Sequence, residues 1–154
     1  MLASAVVAIG VAALSTVGLS TDLFGRPPTP ETVFAAAGQV GVIDGATLRL
    51  GLTVIRLDDI LAFPRGEPCA AGPDCGGRAT NALASLVRDR PVDCRLGARD
   101  RLGRALARCD AAGSDVNRDM VATGWARASS SLLAGAEDDA RTHSRGLWAP
   151  AIRR

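Results

Sequence analysis

The side chains able to take part in phosphate or metal chemistry fall into a few short stretches of this sequence. Asp44 lies in "IDGATLRL" (residues 43–50), Asp58 and Asp59 in "IRLDDI", and Glu67 in a loop between Gly66 and Pro68. All 18 basic residues are arginine. A guanidinium fork suits phosphate and carboxylate, although an all-arginine choice more often reflects codon bias than ligand choice. Asp44 and Gly45 supply a bend, and the next position is Ala46, where a short polar side chain would fit at least as well. No nucleophile and base constellation presents itself: Ser129, Ser130 and Ser131 form a polar stretch without a partner histidine. The lone His143 lies on a polar helix and reads as a surface residue. A CxxC…CxxC pattern is absent, so two disulfides, Cys69–Cys75 and Cys94–Cys109, are expected ahead of structural zinc.

These residues need elements to position them. "QVGVIDG", "ATLRLGL" and "TVIRLDDI" are short β-rich runs separated by glycine or polar breaks, which predicts a three-strand meander. Residues 61–77 are rich in Gly, Pro and Cys and read as a loop. From Gly77, the positions Ala79, Ala82, Leu83, Leu86 and Val87 give one apolar helical face, ending before Pro91. "PVDCRLGARDRLGRALARCD" reads as a hairpin around a four-residue turn, "DRLG", with Cys94 facing Cys109, Leu96 facing Ala107 and Arg99 facing Arg104. That register puts Cys94, Leu96, Ala98, Ala105, Ala107 and Cys109 on a core face. Asp93, Arg95, Arg99, Arg104, Arg108 and Asp110 take the other face, which needs carboxylates, water or an anionic ligand nearby. "SDVNRDMVATGWA" predicts a helix capped by Ser114 or Asp115, with Val116, Met120 and Val121 inward and Gly124 as its stop. "GAEDDARTHSRGLW" predicts a last helix, acidic at its start and basic at its end, terminated by Gly146. Trp125 and Trp148 are expected in core or lid packing. The fold class is therefore α+β: a five-stranded OB-type barrel with about three helices, preceded by an N-terminal apolar helix.

At 154 residues the chain has room for one domain and a short extension. Residues 2–19 carry no charge, close to the length that spans a bilayer. Residues 1–20 read as a signal peptide, with Gly18 and Ser20 at the small-residue cleavage positions, or as a membrane anchor. Residues 21–37 are a Pro-rich linker, 38–150 the domain and 151–154 a tail. Either N-terminal reading places the domain outside the cytosol, periplasmic or extracellular or held at the membrane through residues 2–19, where disulfides persist. The net charge of +2 predicts no strong nonspecific affinity for nucleic acid.

"VIDGATLRL", "IRLDDI", "CGGRATNAL", "DRLGRALARC", "MVATGWA" and "EDDARTHSRGLW" resemble, in order, the motifs of the thermonuclease family, the staphylococcal-nuclease-like domains. The resemblance covers roughly residues 38–150. It implies a calcium-dependent phosphodiesterase for DNA and RNA, with two aspartates on the metal, a glutamate that activates or positions water, and two arginines on the phosphate. Carried over by position, the arginines match Arg56 and Arg104. The second aspartate of the family's Asp-Gly-Asp-Thr turn corresponds to Ala46, the other metal aspartate to Leu61 and the glutamate to Pro64. Leu102 stands where tyrosine is usual.

The expected function follows from these departures. Calcium takes six to eight oxygen ligands, and neither Ala46 nor Leu61 offers a side-chain oxygen. The chain is expected to be an exported, catalytically degenerate member of the family that keeps weak binding of nucleic acid or another phosphate-bearing ligand at Arg56 and Arg104, with no cofactor. The alternative is an active metal-dependent nuclease whose carboxylate site, and hence calcium, is rebuilt from Asp44, Asp58, Asp59 or Glu67. A third reading is a structural domain whose arginines serve internal pairs.

Overall fold

A computed structural model describes residues 31–150. The apolar segment 1–20, most of the Pro-rich linker and the tail 151–154 lie outside the described residues. No helix among the described residues is long and apolar enough to cross a membrane.

Among the described residues the architecture is mixed α+β with three α-helices. Strands β2 (Val40–Asp44), β3 (Thr47–Leu50) and β4 (Thr53–Leu57) form the expected antiparallel meander. A short strand β5 (Ile60–Leu61) and a loop lead to helix α1 (Cys75–Val87), then to the hairpin of β6 (Val92–Arg99) and β7 (Ala105–Ala111). Strand β8 (Ser114–Asp115), helix α2 (Val116–Ala122), strand β9 (Arg127–Ala128) and helix α3 (Ala134–Thr142) complete the chain. The meander joins the hairpin through a parallel pairing of β4 with β7, Ile55 opposite Ala105 and Arg56 opposite Leu106.

The five expected strands are present in an OB-like arrangement, but the barrel is not closed. The main sheet runs β1-β6-β7-β4-β3-β2 and stays open, because the edge of β6 that would close the ring is taken by a further strand, β1 (Thr32–Ala35). The β1 residues fall within the stretch read as linker. They pair antiparallel with β6, Thr32 opposite Arg95 and Ala35 opposite Val92, and Ala35 is buried. The loop after β4 also hides a strand: β5 pairs with β9 in a separate two-stranded sheet.

The hairpin keeps Cys94 opposite Cys109 and Leu96 opposite Ala107, but Arg99 lies opposite Ala105, not Arg104. Its loop is three residues, Arg101 to Gly103, closed by the Asp100–Arg104 pair. Gly103 takes φ +77°, the left-handed position such a loop requires. The extra residue on β6 is absorbed by a bulge between Leu96 and Arg99, which turns Ala98 out to solvent.

Helix α1 buries Ala79, Leu83 and Val87, the face its spacing predicts. They meet Leu48, Ile55, Leu57, Met120 and Val121 in one core. Asp74 caps α1 by accepting from the Gly77 N–H at 2.6 Å, and it also accepts from Gly66 at 2.9 Å. Those two hydrogen bonds hold its carboxyl below the usual range. Asp115 caps α2 through the Arg118 N–H, and Gly124 ends that helix at φ +79°. Helix α3 stops at Thr142, ahead of Gly146: Ser144 takes the left-handed conformation first, and Gly146 opens a 3₁₀ turn through Trp148. Both disulfides form, Cys94–Cys109 across the hairpin with Cα atoms 4.1 Å apart and Cys69–Cys75 at 5.9 Å.

Candidate functional site

The turn between β2 and β3 is built around Asp44. Its carboxylate accepts from the Ala46 N–H at 2.8 Å and the Thr47 hydroxyl at 3.1 Å, an Asx-type turn that occupies both oxygens. Gly45 is required for packing: a Cβ there would lie 2.6 Å from the Ala79 Cβ of α1. Ala46 is 1% exposed within the main core, and its carbonyl accepts from the Leu57 N–H. The position that the resemblance assigns to a metal ligand is therefore filled by a packed methyl group.

Arg56 and Arg104 share the outward face of the sheet. Arg56 is opposite Leu106, and Arg104 lies two residues before Leu106 on the neighbouring strand. Strand rise and spacing put the two backbones about 8 Å apart. Arg104 is held by Asp100, with its Nε at 2.8 Å and a terminal nitrogen at 2.7 Å from Oδ2, while its N–H donates to Oδ1 at 3.0 Å. Burial alone would raise the Asp100 carboxyl, but hydrogen bonds from the Arg104 side chain and from the N–H groups of Arg104 and Leu102 hold it below the usual range. Among the described residues, Arg56 forms no ion pair.

The same face extends across four neighbouring strands. Arg49 of β3 is opposite Val54, two residues from Arg56, and Arg108 of β7 is opposite Arg95 of β6. Five arginines thus point outward from β3, β4, β7 and β6. Asp100 neutralises Arg104, and Asp59 neutralises Arg108 at 2.6 Å. Arg49, Arg56 and Arg95 have no carboxylate partner among the described residues. A hollow of about 320 Å³ lies on this face between Asp58, Arg95, Leu106 and Arg108.

The carboxylates read as substitutes are dispersed. Asp58 accepts from the Asp59 N–H at 2.9 Å, and Asp59, at φ +62°, turns to Arg108. Glu67 is exposed two residues before the Cys69–Cys75 loop, and its backbone bonds to Pro64 and Cys75. Leu61 is 53% exposed on β5, and Pro64 is exposed with its carbonyl packed against Gly76. Among the described residues, no group of three or more His, Cys, Asp or Glu side chains is placed to hold a metal ion. The donor set present does not fit the calcium that the resemblance implies.

His143 is exposed and bonded to Asp139, and Ser129 to Ser131 line a surface hollow with Glu137 and Arg141. Trp148 is covered by the guanidinium of Arg141, 4.2 Å from the ring centre. One organising residue escapes the motif reading. Asn117 is 3% exposed; its Oδ1 accepts from the Cys109 N–H at 3.0 Å, and its Nδ2 donates to the carbonyls of Asp58 at 2.8 Å and Ala107 at 2.9 Å. It ties α2 to the hairpin and to the turn that carries Asp58 and Asp59. Its signal in the sequence was an amide three and four residues before Met120 and Val121, on the apolar side of α2.

The fold is that of a small α+β domain. The family model described as staphylococcal nuclease homologue matches residues 54–150, more than half of the chain, and the chain belongs to that family. No curated protein matches the sequence at a significant level.

Proposed function

We propose that this protein is a catalytically degenerate staphylococcal nuclease homologue that works outside the cytosol as a weak binder of phosphate-bearing ligands, nucleic acid among them. The observation that carries the reading is the outward face, where five arginines lie on or beside four adjacent strands: Arg104 and Arg108 have carboxylate partners, Arg95 lies near Asp93, Asp110 and Asp115 without an ion pair among the described residues, and Arg49 and Arg56 are likewise unpaired there. Arg56 and Arg104 are the expected grip on a phosphate. Binding there requires Arg104 to share its guanidinium between Asp100 and the ligand, which favours modest affinity.

The hydrolytic half of the family's site has no equivalent in residues. Ala46 and Leu61 bring no oxygen to a metal, and Pro64 brings no base. A general base contributes about 10²–10⁴-fold to such a reaction, and a metal adds several kcal/mol of charge stabilisation. The alternative, an active nuclease rebuilt around Asp44, Asp58, Asp59 or Glu67, has less support, because Asp44 is spent on its own turn and Asp59 on Arg108. Placement outside the cytosol is supported by the uncharged run at residues 2–19 and by the two disulfides.

The test is digestion of single-stranded DNA and RNA by the purified oxidised chain, with calcium and with chelator, beside an Arg104→Ala control. The expected result is no cleavage above that control, together with salt-sensitive oligonucleotide binding that Arg56→Ala weakens. Calcium-dependent cleavage that Arg104→Ala abolishes would overturn the degenerate reading and direct attention to the four acids.

A further inference from the structure

Two leucines at one end of the sheet are unusually exposed. Leu52, in the turn between β3 and β4, is 102% exposed, and Leu102, at the tip of the β6–β7 hairpin, is 77% exposed. Tight turns normally carry Gly, Asn, Asp or Ser, and a polar residue at either tip would remove no contact from the core. The parallel register puts the two tips at one end of neighbouring strands. Ile55 is opposite Ala105, Leu52 is three residues before Ile55, and Leu102 is three residues before Ala105, so both turns leave the sheet at the same end.

Cationic groups surround them. Arg49 lines a shallow hollow with Leu52, Gly38 and Gln39, and Arg99 and Arg101 are exposed beside Leu102. Arg99 donates only to the Gly103 carbonyl. The acidic residues at this end are Asp100, which is occupied by Arg104, and Glu31. Glu31 is the first described residue: its carbonyl accepts from the Leu96 N–H, and β1 runs antiparallel to β6, so Glu31 lies towards the same end of the sheet as the tips. Residues 20–30 can separate the uncharged run 2–19 from Glu31 by at most about 40 Å.

We infer that this end of the sheet rests on an anionic lipid surface, with Leu52 and Leu102 inserted among the acyl chains and Arg49, Arg99 and Arg101 at the headgroups. Apolar tips ringed by arginine match the layering of an interface, hydrocarbon below and phosphate above. The short tether keeps the local lipid concentration high enough for two leucines to suffice. The inference rests on the reading that residues 2–19 hold the chain at a membrane, and it gives Leu102 a contact of its own in place of the family's aromatic one.

The test uses the full oxidised chain with phosphatidylglycerol vesicles, some carrying bromine on their acyl chains, and the variant Leu102→Trp. Emission from the native Trp125 and Trp148, measured on the unsubstituted chain, is the background. The expected result is that the chain floats with the vesicles and that the introduced indole shifts to the blue and is quenched by bromine. Leu52→Asp or Arg101→Glu, each added to Leu102→Trp, should return that quenching towards background. Flotation with an unshifted, unquenched indole would overturn the inference while leaving the anchor intact, and failure to float would overturn both. Equal quenching in zwitterionic phosphatidylcholine would overturn the part assigned to arginine.

Discussion

Replacing Asn117 with alanine perturbs the structure at one atom-sized hub, and the cost can be worked bond by bond. Three hydrogen bonds disappear, but their partners do not suffer alike. The Ala107 carbonyl keeps a donor, the Asp58 N–H at 2.8 Å. The Cys109 N–H loses its acceptor in a buried contact, whereas the Asp58 carbonyl loses its donor at a part-buried position that water can reach. An unsatisfied buried polar group costs about 1–3 kcal/mol, and the Asp58 carbonyl, open to water, adds less, so we expect a loss of about 2–3 kcal/mol. That is a large share of the roughly 5–15 kcal/mol that separates folded from unfolded domains. Urea titration of the oxidised protein, followed by tryptophan emission, measures it directly, provided the slope stays that of the parent. Asn117→Asp sharpens the test: it restores an acceptor for Cys109 but aims a carboxylate at two carbonyls, so it should be no better than alanine at neutral pH. A loss below about 1 kcal/mol for Asn117→Ala would refute the claim that this amide carries the junction between helix and hairpin.

Two further outcomes follow from the site and its surroundings. Ala46→Asp returns the acidic residue type that the family resemblance implies, but at a position 1% exposed among core methyl groups. It should destabilise the fold by about 3–5 kcal/mol, the cost of an uncompensated buried charge. Added calcium should not restore the denaturation midpoint, because Leu61 and Pro64 supply no oxygen beside it; a calcium-dependent rise would refute this. Glu137 is buried, which by itself would raise its carboxyl, yet hydrogen bonds from Arg141 at α3 and from the Ala128 N–H, with the nearby charge of Arg127, hold it below the usual range. A depressed carboxyl stabilises the fold above its unfolded-state pKa, and that contribution is lost as pH falls through the folded-state value. Glu137→Gln should therefore lower stability at pH 7 and flatten the acid limb of a pH series of urea midpoints, and an acid limb as steep as the parent's would count against it.

The parts of this structure legible in the sequence are those where local pattern and tertiary demand coincide. The apolar stripe of α1, the Asp115 cap, the Gly124 stop and the facing of Cys94 with Cys109 all depend on spacings of a few residues, and all are present. Most of the misses depend on partners distant in sequence. Thr32–Ala35 sits in a stretch dominated by upstream prolines, and nothing local announces that the free edge of β6, some sixty residues on, will take it up as a strand. The hairpin error is local instead: "DRLG" fits a four-residue turn equally well, and the Asp100–Arg104 closing pair with a bulge is favoured by the hydrogen bonds that Asp100 collects from Leu102 and Arg104. Arg108 could not be matched to Asp59 from spacing, since the two lie 49 residues apart.

Site and fold part company for a physical reason. The strand register that sets Arg56 opposite Leu106, two residues beyond Arg104, is fixed by side chains on the opposite, inward face: Leu48, Ile55 and Leu57 from the meander, and Ala105, Ala107 and Cys109 from the hairpin. A one-residue slip would turn all of these to solvent. The core therefore holds the arginines in place whether or not any ligand selects for them, and their alignment is weak evidence of use. The carboxylates have no such support. Position 46 packs in the core whether or not its side chain reaches a metal, and positions 61 and 64 are exposed, so loss of metal binding removes what would keep an acid at any of the three. Evidence that the face still binds must come from what the core does not require. The lack of an ion-pair partner for Arg49 and Arg56 among the described residues is of that kind, since aspartate or glutamate beside them on this exposed face would relieve repulsion at no cost to packing.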